Sequence, residues 1–484
     1  MFGKIFQLIF APSSVYVIIR YVTYAMQFVN AVLLAHFLDV FSFGVYSFIM
    51  LLMLYMSYSN LGINESLNTE YAVHKNDPAQ LKDIWNNAWS VNILWNIVLA
   101  FACCALFKVS DGLFQDYRFN DYRYMLLATC ITINLSRVYI TYYKLHARLI
   151  KLNIQQILPN LAILVLMMIY RESFTIKGIV ATYFVSNIMT LLIFRIGVPV
   201  VPRFSLHKDW TVVLIRRGIT ILLYNLSFYF LTLLASTVVS ICYSIETFGC
   251  YSFANTLVNG VVMAGNAFLF IFYPKILSRL DTENTESVEM IRKIQEVYVV
   301  FMDLISLLSI LGIIAVSVIL DKYGINLVVT YAILMLGRIV NNASTGYAAL
   351  LIAKRKEYRL VIYGFLSVIV VAVCGVCVRR LNLPVETITL SVVIASFIYT
   401  YLVIGFAWKI LGVPVSYHLI LREIFGMNKW LVCTIILLNA FVLHSYYVVL
   451  IGCMLAYCVV NLKNIRNAAE VGISVLSNKN ALSL

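Results

Sequence analysis

The chain has 484 residues, of which 62% are hydrophobic and 12% are charged, and its formal net charge is +14. Soluble proteins hold roughly 45–50% apolar and about 25% charged residues, so this composition excludes a water-soluble protein of this length. Apolar runs long enough to cross a hydrocarbon core of about 30 Å recur along the chain. Backbone groups in lipid must be satisfied internally, and no run alternates as barrel strands do. The sequence therefore predicts an all-α integral membrane protein.

In chain order we predict fourteen membrane-spanning helices, at residues 14–38, 43–61, 84–107, 122–143, 154–170, 177–198, 217–241, 247–273, 297–320, 325–353, 360–378, 385–408, 430–444 and 446–462. With both termini in the cytoplasm, 25 lysines and arginines fall in inside segments and 8 in outside segments. This asymmetry agrees with the positive-inside rule. It also explains the net positive charge, so the sequence does not call for nucleic acid as a partner.

A short motif occurs twice, at the start of the second and of the eighth predicted span. The first copy is Phe43–Phe48 (FGVYSF) and the second is Phe248–Phe253 (FGCYSF), 205 residues later. Each copy follows an acidic residue, Asp39 or Glu246. Internal duplication is a common architecture of transporters. We therefore predict two six-helix lobes followed by two further helices, with boundaries at 1–205, 206–410 and 411–484.

An even number of spans separates the two copies, so both lobes share one orientation in the membrane. Such a parallel repeat can rock around a central cavity and expose it to each side in turn. Two lobes in one chain predict a functional monomer. The sequence has no Walker A motif and no soluble domain, which excludes ATP-driven transport by this chain alone.

Ionisable residues inside the spans are the candidates for function. Arg20, Arg137 and Arg338 lie in the first, fourth and tenth spans, and Asp303 lies in the ninth. An arginine at the centre of a span costs about 2.5–3.5 kcal/mol on insertion scales and usually faces a wet cavity or a partner. Its planar, permanently charged fork suits phosphate oxygens. The three arginines therefore predict a cationic cavity for an anionic head group such as a diphosphate.

Each of these residues also has a simpler interpretation. Arg20 and Arg137 lie near the cytoplasmic ends of their spans and can snorkel, and Arg137 can instead pair with a carbonyl. Asp303 is either a coupling site for H+ or Na+ or a salt-bridge partner of one of the arginines. Asparagines of the seventh, eighth and tenth spans either line the transport path or make interhelical hydrogen bonds: Asn225, Asn255, Asn259, Asn266, Asn341 and Asn342.

Nothing in the sequence predicts catalysis or a bound cofactor. His36, His146 and His444 have no metal-ligand spacing, and no nucleophile arrangement or pair of carboxylates can be assembled. We therefore expect a protein that is not an enzyme, with no metal and no cofactor beyond the coupling ion.

Short patches of the chain carry a family resemblance. They are Arg20-Tyr21 to Gln27-Phe28, Leu33-Leu34-Ala35, Phe43–Ser47 and the turn Asn60-Leu61-Gly62-Ile63. In these patches, and in its hydropathy overall, the chain resembles the polysaccharide-transporter branch, the Wzx-type flippases, of the multidrug/oligosaccharidyl-lipid/polysaccharide (MOP) exporter superfamily. It departs from many members in having fourteen predicted spans instead of twelve, and in Asn64-Glu65 after the Leu-Gly turn, where a basic residue is usual.

The resemblance implies a two-lobed MATE-like bundle in the bacterial inner membrane that moves undecaprenyl-diphosphate-linked oligosaccharides for O-antigen, capsule or other exopolysaccharide. It also implies a polysaccharide polymerase and a chain-length regulator as partners. Basic residues lining the cavity of such proteins meet the anionic linker, which agrees with Arg137 and Arg338. Three alternatives stay open: an ion-coupled drug antiporter of the same superfamily, a flippase for a cell-wall precursor, and a membrane glycan polymerase or ligase.

Overall fold

The computed structural model describes residues 12–74, 77–109, 115–146, 148–170, 175–198, 202–280, 284–426, 429–441, 447–467 and 470. Over these residues the chain is helical and has no strand. The helices of the first half are α1 (Pro12–Phe37), α2 (Val40–Tyr58), α3 (Ile63–Val73), α4 (Pro78–Val109), α5 (Arg123–Leu145), α6 (Leu149–Leu152), α7 (Ile154–Tyr170), α8 (Ile176–Gly197) and α9 (Lys208–Cys242). Those of the second half are α10 (Ile245–Leu280), α11 (Asn284–Lys293), α12 (Val300–Ile319), α13 (Gly324–Asn342), α14 (Thr345–Ala353), α15 (Glu357–Leu381), α16 (Val385–Leu411), α17 (Tyr417–Ile424), α18 (Lys429–Phe441) and α19 (Tyr447–Val460).

The predicted fold class is confirmed, because each of the fourteen predicted spans coincides with one or more of these helices. Nine helices of the described part are long and apolar enough to cross a membrane, and four further apolar helices there are shorter. Large apolar side chains such as Phe101, Ile196 and Val318 are mostly exposed. A surface of this kind is stable against lipid, so the chain is a multi-pass membrane protein.

Two of the spans are irregular where the sequence predicts continuous helices. The ninth begins with a π-helical segment, Ile294–Val299, which leads directly into α12. The tenth is interrupted at Ala343 and Ser344, between α13 and α14. Interruptions of this kind are tolerated in a membrane where the freed backbone groups find other partners.

The chain divides into two compact units, Met1–Leu226 and Ser227–Leu484. The division falls within α9, so the first part of this helix belongs to unit 1 and the rest to unit 2. Helices α18 and α19 belong to unit 2, where they pack on α13 and α12 respectively. The sequence boundaries at 205 and 410 stay predictions.

Equivalent helices make equivalent contacts inside each unit. In unit 1, α5 packs against α2, α4 and α8, and α7 packs against α8. In unit 2 the counterparts do the same: α13 packs against α10, α12 and α16, and α15 packs against α16. This correspondence supports the internal duplication that the repeated motif predicts.

The core of unit 1 is built around the amphipathic helix α3, which connects the second and third spans. Ile63 and Leu67 are fully buried against Trp85, Tyr139 and neighbouring apolar residues of α4, α5 and α9. The helix begins after a turn in which both Leu61 and Gly62 have positive φ, of 53° and 67°. The turn directs α3 back into the unit, where it contacts the first turns of α9.

Candidate functional site

Arg338 lies on α13, which is the most enclosed of the nine candidate spans in the described chain. From Leu327 to Val340 every residue of this helix is buried except Arg338, which is half-buried. Its Nη2 donates a 3.0 Å hydrogen bond to Oδ1 of Asn259 on α10. The amide acceptor is itself uncharged, and this bond orients the guanidinium inside unit 2.

A small cavity of about 20 Å3 adjoins the guanidinium. Thr232, Asn255 and Ser396 supply its polar lining, and Leu231, Val258, Leu334, Gly337 and Val392 supply the rest. A space of this size holds about one water molecule. Asn255 and Asn259 lie one helical turn apart on α10, so two of the predicted asparagines do lie beside Arg338. Asn225 and Asn266 have side chains outside the described residues.

Arg137 has a structural partner, which is one of the two simpler interpretations of its sequence position. Its Nη1 donates a 2.6 Å hydrogen bond to the carbonyl oxygen of Ser57, in the last turn of α2. The last four carbonyls of a helix lack intrahelical donors. A cation at this end also interacts favourably with the negative end of the helix dipole. Trp95 Nε1 donates to the carbonyl oxygen of Ser59, the C-cap residue of the same helix. Arg137 and Trp95 together therefore cap α2.

We expect Arg137→Met to destabilise the protein by about 1–3 kcal/mol, because a partly buried carbonyl loses its donor. Arg137→Lys should retain most of the stability, since lysine can still donate. Thermal unfolding of the purified variants in detergent measures this difference. A normal melting temperature for Arg137→Met, together with lost transport, would instead assign the residue to the substrate.

The half-buried Arg137 and Arg338 occupy similar places in their respective units. Arg137 on α5 bonds to α2, and Arg338 on α13 bonds to α10, and these are the equivalent helix pairs of the repeat. The acceptors differ in kind, because Ser57 offers its carbonyl and Asn259 its side chain. The same position therefore caps a helix in unit 1 and holds an oriented cation over a cavity in unit 2.

Arg20 bonds within its own helix. Its Nε donates a 2.6 Å hydrogen bond to the hydroxyl of Tyr24, and the guanidinium carbon lies 5.5 Å from the centre of that ring. The residue is half-buried on α1. Each of the three predicted arginines thus has a different hydrogen-bond partner, and of the three only Arg338 lines a cavity in the described part of the chain.

Asp303 forms a buried ion pair, but the expectation of an arginine partner is wrong. Its Oδ2 lies 2.5 Å from Nζ of Lys429, and its Oδ1 accepts a 2.9 Å hydrogen bond from Nδ2 of Asn342. Asp303 is 1% exposed and the Lys429 side chain 6%. Lys429 is the first residue of α18. The sequence alone indicates a charge in a cytoplasmic loop at this position, and no sequence pattern predicts its pairing with Asp303.

A second buried carboxylate, Glu70 on α3, is absent from the sequence predictions. It is 2% exposed and forms an ion pair with Arg217 on α9. Nδ1 of His74, the C-cap residue of α3, lies 3.7 Å from the other carboxylate oxygen of Glu70. Amphipathic periodicity of α3 alone could have suggested a buried acid here, but its partner is 147 residues away in sequence.

Beside this ion pair, α3 and α9 meet backbone to backbone. A Cβ on Gly218 would lie 2.5 Å from the carbonyl oxygen of Leu61, and one on Gly62 would overlap the backbone of Gly218. Two glycines in contact allow this approach. The start of α9 is therefore held to unit 1 by close backbone contact and by the Glu70–Arg217 pair.

Comparison with known proteins agrees with this architecture. Residues 10–276 match the family described as "polysaccharide biosynthesis protein". Curated protein sequences gave no match. An inward-facing multidrug resistance MATE family transporter of the MOP superfamily superposes with a TM-score of 0.64 and 13% identity, over 81% of this chain and 94% of that one. The lipid II flippase MurJ in an inward closed conformation superposes with a TM-score of 0.67 and 12% identity, over 93% of this chain and 99% of that one.

A MOP superfamily transporter from Pyrococcus furiosus is also similar, with a TM-score of 0.52 and 12% identity over 84% of this chain and 97% of that one. Identities this low establish a shared fold. The family match, by contrast, covers more than half of the sequence. With the fold of the MOP-superfamily exporters and this match, the chain belongs to the polysaccharide biosynthesis protein family.

Proposed function

We propose that this protein is a flippase that moves undecaprenyl-diphosphate-linked oligosaccharide repeat units across the bacterial inner membrane by alternating access. The exported units serve O-antigen, capsule or exopolysaccharide synthesis. The observation that carries the proposal is Arg338, an oriented cation in the most enclosed span of a polysaccharide-family membrane protein. Guanidinium groups bind phosphate oxygens in pairs, which suits a diphosphate linker.

Transport without catalysis is part of the proposal. We infer no enzymatic step and no cofactor, both termini in the cytoplasm, and a single chain as the transport unit. A polysaccharide polymerase and a chain-length regulator would use the exported units. Energy comes from an ion gradient, because the sequence has no nucleotide-binding motif.

Depletion of the protein in its host tests the proposal. Complete repeat units should accumulate on the undecaprenyl carrier at the cytoplasmic face while surface polysaccharide disappears. Chromatography of extracted carrier-linked glycans measures the accumulation, and re-expression of the wild-type chain should reverse it. Unchanged surface polysaccharide with no accumulation would contradict the flippase function.

An ion-coupled drug antiporter is the second candidate, favoured by the structural similarity to a multidrug resistance transporter. Antiporters of cationic drugs need acidic groups to attract their substrates. Of the membrane-embedded charges described, Asp303 is already paired with Lys429, and Arg338 is positive. Drug accumulation in depleted cells distinguishes the two functions, since only loss of an antiporter raises it.

A further inference from the structure

The two irregular spans meet at one place in unit 2. The π-helical segment Ile294–Val299 lies beside the interruption after α13, and Nε2 of Gln295 donates a 2.8 Å hydrogen bond to the carbonyl oxygen of Ala343. This bond satisfies a carbonyl at the interruption. π-helical segments and broken spans frequently mark functional sites in membrane proteins. The buried pair of Asp303 and Lys429 lies at this junction. Asn342, which donates a hydrogen bond to Asp303, is the last residue of α13.

A cavity of about 360 Å3 adjoins the pair. Its lining includes Gln295 and Glu296 of the π-helical segment, Arg422 and Glu423 of α17, and Lys429 of α18. Lys429 therefore contacts Asp303 on one side and the cavity on the other. Two carboxylates, of Glu296 and Glu423, line the same space, so the cavity offers the Lys429 ammonium an alternative polar environment.

A buried ion pair is stable only while both charges are present. If one partner becomes neutral, the other is left as an uncompensated buried charge, which is strongly unfavourable. Neutral Asp303 would therefore release Lys429, and the nearest polar space is the cavity. In the predicted orientation α18 begins at the cytoplasmic side, so this cavity connects the pair with the cytoplasm.

We propose that Asp303 is the proton-binding site of the transporter and that Lys429 is its exchangeable counter-ion. A proton from the cytoplasmic cavity binds Oδ2 of Asp303, and Lys429 keeps its own proton and moves its ammonium into the cavity. The pair gains one positive charge in this step. Because Lys429 lies on α18, protonation changes how the C-terminal helices are held to α12 and α13. The coupling of this step to flipping rests on the proposed function.

The surroundings of Asp303 favour a proton over a metal cation. Within the described part of the chain no three His, Cys, Asp or Glu side chains form a group that could hold a metal ion, and Asn342 presents its nitrogen to Asp303. Among the described residues, the phenols of Tyr298 and Tyr457 also interact electrostatically with the carboxylate. A phenol is uncharged near neutral pH, so neither side chain competes for the proton there.

Chemical labelling of Lys429 in the purified full-length protein in lipid nanodiscs tests the proposal without any substrate. Acetic anhydride acetylates exposed amines, and mass spectrometry quantifies Lys429 relative to the exposed Lys356. The ratio cancels the intrinsic pH dependence of amine reactivity. It should rise about tenfold as the pH is lowered through the titration of Asp303, because the freed ammonium enters the cavity. In Asp303→Asn the ratio should be high at every pH.

Three results would overturn the proposal. A wild-type ratio that does not change with pH would make the pair a static structural contact. A rise that persists in Asp303→Asn would assign the titration to another carboxylate, such as Glu296 or Glu423. A ratio that depends on sodium, with NaCl replacing KCl at one pH, would make the ligand a metal cation. Even if Asp303→Asn does not fold, the wild-type profile separates a titrating ion pair from a static contact. Since no lipid-linked substrate is used, failure here is distinct from failure of the flippase function.

Discussion

We expect Arg338→Gln to abolish surface polysaccharide and to leave the amount of protein in the membrane unchanged. Glutamine can still hydrogen-bond to Asn259, so the contact between α13 and α10 survives, whereas the positive charge is lost. The contact that is lost is the proposed one between the Arg338 guanidinium and the diphosphate of the substrate. Removing one partner of such a charged contact costs about 2–5 kcal/mol, which is more than a tenfold loss of substrate binding. Complementation of a depleted host, with surface polysaccharide and carrier-linked glycans quantified, measures the effect.

Two further substitutions sharpen this experiment. Arg338→Lys keeps the charge but loses the planar fork, so it should retain part of the activity. Arg379→Gln makes the same exchange at an exposed position in the last turn of α15 and should behave as wild type. Full activity of Arg338→Gln at normal protein levels would remove this residue from the substrate path.

The second large effect is structural: Gly62→Ala should strongly destabilise unit 1. The new Cβ would overlap the backbone of Gly218, and backbone atoms cannot rotate away as a side chain can. Overpacking typically costs about 1–3 kcal/mol, and the left-handed conformation at φ 67° adds about 1–2 kcal/mol for a residue with a Cβ. A lower melting temperature and a lower yield of monodisperse protein in detergent are the expected results.

Gly312→Ala is the matched control. Gly312 lies within α12, and a Cβ added there meets nothing within 4 Å. Alanine is the better helix former by about 1 kcal/mol, so this variant should be as stable as the wild type or slightly more so. Equal melting temperatures for Gly62→Ala and Gly312→Ala would contradict the close approach of α3 and α9.

Arg137 and Arg338 show how far sequence reasoning reaches inside the membrane. Both are recognisable from the sequence alone, because a charge in an apolar run is expensive and therefore informative. Their roles are not recognisable, since the sequence does not reveal that Arg137 faces the free carbonyls at the end of α2. Nor does it reveal that Arg338 faces an amide and a cavity. Role depends on the partner, and each partner lies about 80 residues away.

The pairing of Asp303 illustrates the same limit. Its burial follows from its position in an apolar span, and a basic partner follows from the energetics of burial. The sequence favours an arginine because Arg20, Arg137 and Arg338 are the basic residues that lie deepest in the predicted spans. Lys429 precedes the thirteenth span by one residue, and only the packing of α18 against α13 brings it into the interior.

By itself the sequence determined the fold class, the order of the apolar helices along the chain and the repeated motif that predicts an internal duplication. These properties depend on composition, on the length of apolar runs and on a local motif. All three can be read from the linear sequence without knowing which residues meet in space. The tertiary structure decided the π-helical segment, the interruption of the tenth span, the glycine contact between α3 and α9 and the partner of every buried charge. Such features arise where helices distant in sequence meet, and their energies depend on atoms that only the folded chain brings within a few ångströms.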